Sequence, residues 1–182
     1  EERAVRQTNV KGEWTAPTQP FPTKPPAFDQ QGITENDLID FTPALRAEAI
    51  KAIANHTLGA MYDPGTLNVE GGHRGTIIAP GLGGGANWQG GAADPETGFV
   101  YVGSNTSPSG IGNRLNANYK ADDPDSPQYS QATASVPSIN GLRLLKPPYG
   151  RITGYNMNNG TIAFTIPNGD TPPNIKAAFE TA

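Results

Sequence analysis

The chain has 182 residues, a net charge of −4 at pH 7 and no cysteine. Its 22 glycines and 18 prolines, with only 35% apolar residues, favour short strands and many turns over a helix bundle. Disulfides, thiolate metal sites and a cysteine nucleophile are excluded, and the lack of a Lys/Arg cluster disfavours a nucleic-acid surface.

Residues 1–36 are predicted to form a proline-rich extended arm. The prolines favour an extended backbone without ladder hydrogen bonds, and they are Pro17, Pro20, Pro22, Pro25 and Pro26. The arm is either a linker or a segment that lies across a larger body and is anchored by Trp14, Phe21 and Phe28. The second interpretation is favoured, because three large aromatic residues are unusual in a free linker.

Residues 37–74 are predicted to be a helical insertion followed by a loop. Thr34 and Asp37 have the spacing of a helix-start box, and Thr42 followed by Pro43 predicts the start of a longer helix. The apolar stripe of that helix is predicted to be Leu45, Ala49, Ile50 and Ile53. In the loop, Glu70 and His73 are separated by two glycines, which favours polar loop chemistry over a metal site.

Residues 75–182 are predicted to be partial propeller blades. Strands are predicted at Thr76–Ala79, Phe99–Val102, Arg151–Tyr155 and Thr161–Ile166, with a long polar loop over 104–137. The turn that ends in Asn159–Gly160 is a strong hairpin signal between β-type runs. These strands suffice for one to two blades, which leaves sheet edges unpaired. The fold class is therefore predicted to be mainly β.

The glycine loop Gly81–Gly90 carries an Asn87–Trp88 pair and allows three interpretations. A dinucleotide site is rejected, because the residues that follow cannot form the helix that such a site needs. A structural loop would place Trp88 in a core. A cofactor floor would use the amide of Asn87 and the flat face of Trp88. The residues alone favour the structural loop without excluding the cofactor floor.

Three segments together resemble one known family. PGLGGGANWQGGAADPETGFVYV is similar to the G-G-x-N-W-x-G-x-x-x-D-P-x-T-G-x-x-Y-V segment of the pyrroloquinoline-quinone (PQQ) dehydrogenases. Residues 17–49 and 142–172 resemble flanking segments of the glucose-dehydrogenase-like branch, in the same order. The resemblance implies a fragment, with one short helix, of an eight-bladed β-propeller.

The resemblance also implies a function. Complete enzymes of this family hold PQQ and a divalent cation, usually calcium, and oxidise sugars or alcohols. They pass electrons to a quinone or a cytochrome on the periplasmic side. Asn87 matches the asparagine that faces the quinone ring, and Trp88 is its neighbour, so both are predicted to bind the cofactor. No catalytic residue and no metal ligand is assigned, since the family's catalytic aspartate and quinone-contacting lysine lie in segments that are not found here.

This chain corresponds to only part of such an enzyme. We therefore expect that the chain alone binds PQQ poorly or not at all and is inactive by itself. Its partner would be the remainder of the propeller or a larger assembly. The alternative is a shortened, cofactor-free relative that serves as a structural or interaction subunit.

Two further expectations follow from the family pattern. Asp94 matches a blade-turn aspartate, so its role is predicted to be structural. In the second hairpin, small or altered residues replace the usual Ala, Asp, Thr and Trp, and they are Gly154, Asn156, Asn159 and Phe164. This departure predicts weaker docking between blades.

Overall fold

The computed structural model describes residues 1–88 and 90–181, except for the side chains of residues 174, 179 and 181. The helical segments are a 3-10 turn (Glu35–Asp37), α1 (Pro43–Ala52) and α2 (Pro173–Thr181). In chain order the strands are β1 (Glu2–Ala4), β2 (Thr18–Pro20), β3 (Thr57–Leu58), β4 (Thr66–Leu67), β5 (Thr76–Ile78), β6 (Gly91–Asp94), β7 (Phe99–Asn105), β8 (Ser109–Leu115), β9 (Tyr129–Ala134), β10 (Ser138–Ile139), β11 (Leu142–Arg143), β12 (Gly150–Asn156) and β13 (Thr161–Pro167). The mainly β prediction is confirmed.

Four strands form one antiparallel meander in the order β6–β7–β12–β13, which is the arrangement of a propeller blade. Tight turns join β6 to β7 and β12 to β13, and residues 106–149 are inserted between the two hairpins. The predicted hairpin around Asn159–Gly160 is confirmed, with Asn156 paired to Thr161 across the turn. We refer to this sheet as the blade.

The two faces of the blade differ. On one face, Thr153 and Tyr155 are buried, and the arm contacts this face at Pro26 and Asp29. The Tyr155 hydroxyl donates a hydrogen bond of 2.5 Å to the carbonyl of Pro26. The other face has no such cover within the described chain and carries a row formed by Tyr101, Gly154 and Phe164. We call the second one the open face.

The paired residues Gly154 and Phe164 explain one departure from the family pattern. The Phe164 ring lies across Gly154 and approaches Tyr101, with 6.3 Å between the two ring centroids. A Cβ on residue 154 would stand only 2.4 Å from the Phe164 ring. The small residue and the large ring are therefore complementary in shape.

A second sheet corrects the predicted polar loop over 104–137. Strand β8 pairs with β5, β4 and β9, and β3 extends the sheet at β5. The approach between strands is close, since a Cβ on Gly110 would lie 2.2 Å from the carbonyl oxygen of Ala134. Glycine, serine and alanine make this packing possible, but they lack the apolar alternation that predicts a strand.

The arm is more ordered than the sequence predicts. Strands β1 and β2 pair antiparallel, and the Phe21 side chain is buried. Trp14, by contrast, is 79% exposed and anchors nothing within the described residues. Regular pairing in this segment is not signalled by its composition, because the prolines fall outside or at the end of the strands.

The helix α1 begins as predicted. The backbone N–H of Leu45 donates to the Thr42 hydroxyl over 3.2 Å, and Pro43 occupies the first turn. Of the predicted stripe, Leu45, Ala49 and Ile53 are buried. Ile50 is 41% exposed, so its assignment to the stripe is wrong, because only a narrow side of the helix meets the core.

The main apolar core lies outside the blade. In this core, α1 packs against residues from earlier and later segments of the chain. The members of the core are Ile33, Leu38, Ile39, Leu45, Ala49, Ile53, Ile77, Ala79, Ile139, Leu142, Leu144 and Leu145. Neither described helix combines the length and the apolar character needed to cross a membrane.

Truncating this core should destabilise the protein strongly. Leu145→Ala removes a fully buried side chain and is expected to lower the free energy of unfolding by about 2–5 kcal/mol. Leu115→Ala, at a side chain that is 65% exposed, is the control and should change stability by no more than about 0.5 kcal/mol. Urea denaturation followed by circular dichroism measures both, and equal losses would contradict the placement of the core.

A second prediction tests the complementarity of Gly154 and Phe164. Gly154→Ala should destabilise the chain by about 1–3 kcal/mol, because the new Cβ overlaps the aromatic ring. In a Phe164→Ala background the same change should be neutral or stabilising, since glycine is unfavourable within a strand. Denaturation of the four proteins of this cycle measures the coupling, and additive effects would refute the contact.

Candidate functional site

The glycine loop connects β5 to β6 and lies at the end of the blade. Its first residues are fixed to the insertion, since Gly81 N–H donates to the Ser107 carbonyl over 3.0 Å and Leu82 N–H donates to Ser109 Oγ over 3.0 Å. A Cβ on Gly81 would lie 2.3 Å from the Ser107 oxygen, so only glycine fits there. The described loop contains turns and no helix, in agreement with the rejection of a dinucleotide site.

The structure places Asn87 and Trp88 side by side on the surface of this loop. The Trp88 side chain is 95% exposed, and Asn87 is also exposed. The Asn87 carbonyl accepts a hydrogen bond of 2.9 Å from Gly90 N–H, which closes a local turn. Within this chain, Trp88 is therefore not a core residue. Cofactor binding by the pair stays a prediction.

Below the loop lies a carboxylate that sequence reasoning missed. Asp29 of the arm is buried, with 5% of its side chain exposed, and its Oδ2 atom points at Gly85. Gly85 in turn accepts a hydrogen bond of 2.8 Å at its carbonyl from Asn105 N–H, at the end of β7. The sequence gives no signal for this contact, because the residues involved come from three distant segments.

The Asp29 carboxylate is held by a network at its other oxygen. Oδ1 accepts hydrogen bonds from Gln30 N–H at 2.8 Å, from the Thr106 hydroxyl at 3.1 Å and from the Arg151 guanidinium. Arg151 also reaches Ser104 Oγ at 3.4 Å. A buried carboxylate requires such partners, because an unpaired charge is costly away from water. The network ties the arm, the blade and the insertion together.

A cavity of about 1160 Å³ opens next to Gly85 at the same end of the blade. Arg143 and Lys176 bring positive charge to its wall, and the Arg143 guanidinium lies 4.6 Å from the centroid of the Tyr149 ring. Burial raises the pKa of the Tyr149 hydroxyl. Asp170 adds a negative charge to the same wall, and the described lining reaches the glycine loop at Gly85 and not at Asn87 or Trp88.

The turn between β6 and β7 is organised by Asp94, as predicted. Its carboxylate accepts hydrogen bonds from the Thr97 hydroxyl at 2.6 Å and from Glu96 N–H at 3.0 Å. The hydrogen bond from Thr97, followed by that from Glu96 N–H, lowers the pKa of Asp94 below its usual value of 3.8. Asp94 therefore has a structural role in the blade.

His73 belongs to a polar cluster rather than to a carboxylate pair. Its Nε2 atom lies 2.9 Å from the Thr66 hydroxyl and 3.1 Å from the Thr57 hydroxyl. Burial lowers the pKa of the neighbouring His56. Across residues 1–88 and 90–181, no group of three or more His, Cys, Asp or Glu side chains is placed to hold a metal ion.

The comparison with known protein families identifies the family of this chain. The family model of the glucose/ethanol/alcohol dehydrogenase β-propeller domain with PQQ matches residues 1–182. The chain belongs to this family. Searches of curated proteins and of solved structures give no match. The four-stranded blade and the whole-length match support each other, and PQQ is the cofactor of the family's complete enzymes.

The Asp94 turn gives a pH prediction. Because the folded-state pKa is lowered, the carboxylate stabilises the turn above the unfolded value of 3.8, and this contribution is lost as the pH falls through the lower folded value. Thr97→Val should raise the pKa of Asp94 towards 3.8. An NMR titration of the side-chain carboxyl measures this, and an unchanged pKa would show that Thr97 does not stabilise the charge.

Proposed function

We propose that this chain forms part of a PQQ-dependent sugar or alcohol dehydrogenase of the glucose-dehydrogenase-like branch and contributes Asn87 and Trp88 to the cofactor pocket. The observation that supports this most is the exposure of Trp88, which is 95%, on a loop whose base is firmly held. An exposed indole on an anchored loop offers a flat apolar face that a ligand or a partner can cover.

The residues present fit PQQ, which is a flat quinone with three carboxylates. Trp88 offers a flat apolar face, and the Asn87 amide can donate to a carbonyl or carboxylate oxygen. On the neighbouring cavity, Arg143 and Lys176 outnumber the single carboxylate of Asp170, which favours a ligand with negative charge. When bound, PQQ supplies the two-electron oxidant for the substrate hydroxyl. For the divalent cation, usually calcium, we assign no ligand in this chain.

The blade supports the proposal that further blades complete the protein. Strands β6 and β13 form the two ends of its sheet, and the open face exposes Phe164 and Ile166. Exposed sheet ends and apolar faces are normally covered by neighbouring sheets in a propeller. In the complete enzyme, electrons would pass to a quinone or a cytochrome, and the location would be periplasmic.

A second candidate is a cofactor-free structural subunit. It is favoured by the position of the core, which lies around α1 and is built from residues of this chain. The mass of the native polypeptide separates the two candidates. A mass near 19.1 kDa favours the structural subunit, and a mass several times larger favours the enzyme.

NMR spectroscopy of the chain tests the proposed contact directly. On titration with PQQ, the indole N–H signal of Trp88 and the side-chain amide signals of Asn87 should shift, even if binding lies in about the millimolar range. The chain has only two tryptophans, and Trp14 is 79% exposed, so its indole signal is an internal control within the same sample.

Two variants make this test specific. Trp88→Ala should abolish the shift at Asn87, whereas Trp14→Ala should leave it unchanged. Equal shifts of both indole signals would indicate unspecific adsorption of a flat anion. Shifts at other residues on addition of PQQ and calcium, with none at Trp88 or Asn87, would refute the assignment of the pair to the cofactor pocket.

A further inference from the structure

We propose that Asp29 is a positioning residue for the glycine loop, and that its buried carboxylate sets the place of Asn87 and Trp88 through contact with Gly85. This inference rests on the proposed function only for its consequence, which is the effect on PQQ binding. The contact itself is a property of the chain and can be tested without the cofactor.

The contact between Asp29 and Gly85 leaves no room for a side chain. A Cβ on Gly85 would lie 1.6 Å from Asp29 Oδ2 and 2.7 Å from Asp29 Cγ. The carboxylate oxygen therefore occupies the direction of the Gly85 Cα–H bond, and the two groups make a Cα–H···O contact. A shift of the Asp29 side chain would therefore remove the contact that supports the backbone of the loop at Gly85.

Asp29 is itself immobile, because three segments hold it. Its Oδ1 atom takes hydrogen bonds from the arm at Gln30, from the insertion at Thr106 and from the blade at Arg151. Its Oδ2 atom is buried and has no hydrogen-bond partner within the described residues. A buried polar atom without a partner is unusual and requires an explanation. Here the atom faces Gly85, and its position supports the loop.

The contact between Asp29 and Gly85 lies at a point of the loop where it can affect the position of Asn87 and Trp88. Gly81, Leu82 and Gly85 each have a hydrogen bond to the insertion or to β7. After Gly85, the described backbone hydrogen bond of the loop is internal, from Gly90 N–H to the Asn87 carbonyl. Gly85 is therefore the last point at which the loop is fixed before Asn87, two residues further on. The contact that supports Gly85 therefore determines how well Asn87 and Trp88 are positioned.

The first experiment measures amide hydrogen exchange in the chain without PQQ. Asp29→Asn removes the charge that Arg151 pairs with, and the amides of residues 82–88 should exchange about tenfold faster. The control is Asp63→Asn, since Asp63 is a similarly buried partner of an arginine, with 3.5 Å between its Oδ2 and Arg6 Nε. The Asp63 carboxylate accepts hydrogen bonds from the backbone N–H groups of Arg6 and Ala60, which lie outside the glycine loop. Hydrogen exchange in the glycine loop should therefore not change in this control.

The second experiment is a cycle that separates the contact from general destabilisation. Gly85→Ala should also accelerate exchange in the loop, because the new Cβ collides with Oδ2. In an Asp29→Ala background the collision is removed, since only the Cβ of residue 29 remains, 3.2 Å from the ideal position. Gly85→Ala should then accelerate exchange in the loop much less. If Asp29 only stabilised the fold in general, Gly85→Ala would have the same effect in both backgrounds.

The third measurement concerns PQQ. Titration of the chain, followed at the Trp88 indole signal, should give about tenfold weaker binding for Asp29→Asn and unchanged binding for Asp63→Asn. Unchanged loop exchange in Asp29→Asn, or additive effects in the cycle, would overturn the positioning role. Faster exchange with equal PQQ binding would overturn its consequence for the cofactor. PQQ-induced shifts at other residues, with none at Asn87 or Trp88, would refute the proposed function, while the exchange data still decide the contact.

Discussion

The pairing of β7 with β12 is the constraint on which the rest of this molecule depends. Seven consecutive register pairs run from Gly150 and Asn105 to Asn156 and Phe99, and they close the long insertion between the two hairpins of the blade. Closing such an insertion costs chain entropy before any contact offsets it. The Asp29–Arg151 ion pair lies where this pairing ends, and it adds the arm to the same junction. A buried ion pair adds little net stability, so its value here is that it specifies one arrangement of three segments.

Two parts of the chain with different structural roles meet at this junction. The apolar core around α1 provides most of the buried aliphatic surface, while the blade provides a flat support with one face covered by the arm and one face open. Because the glycine loop starts at the core strand β5 and ends at the edge strand β6, its position is set by both parts. The exposed Asn87–Trp88 pair therefore lies on a rigid base, although it makes almost no contacts of its own.

Features with a local signal could be predicted from the sequence. Thr42 and Pro43 determine the start of α1, Asn159 and Gly160 determine the hairpin, and residues 81–88 form a loop as expected. The rest depends on distant residues. Strands β8 and β9 are rich in small residues and are held by ladder hydrogen bonds, which no apolar alternation reveals. Asp29 and Arg151 are far apart in the chain, so neither could be recognised as half of a pair. The exposure of Trp88 within this chain likewise has no signal in the sequence.

Four glycines of this protein mark close contacts between segments and not flexible points of the chain. At Gly81, Gly85, Gly110 and Gly154, an atom of another segment already occupies the space where a Cβ would stand. Each of these glycines is thus a place of close approach between backbones or between backbone and side chain. In the glycine loop, Gly81 and Gly85 are fixed in this way, so less of the loop has to be ordered when a ligand binds. The same argument applies to the open face, where Gly154 lets the Phe164 ring lie flat against the sheet and approach Tyr101. The change from the family pattern therefore preserves a continuous aromatic surface on that face.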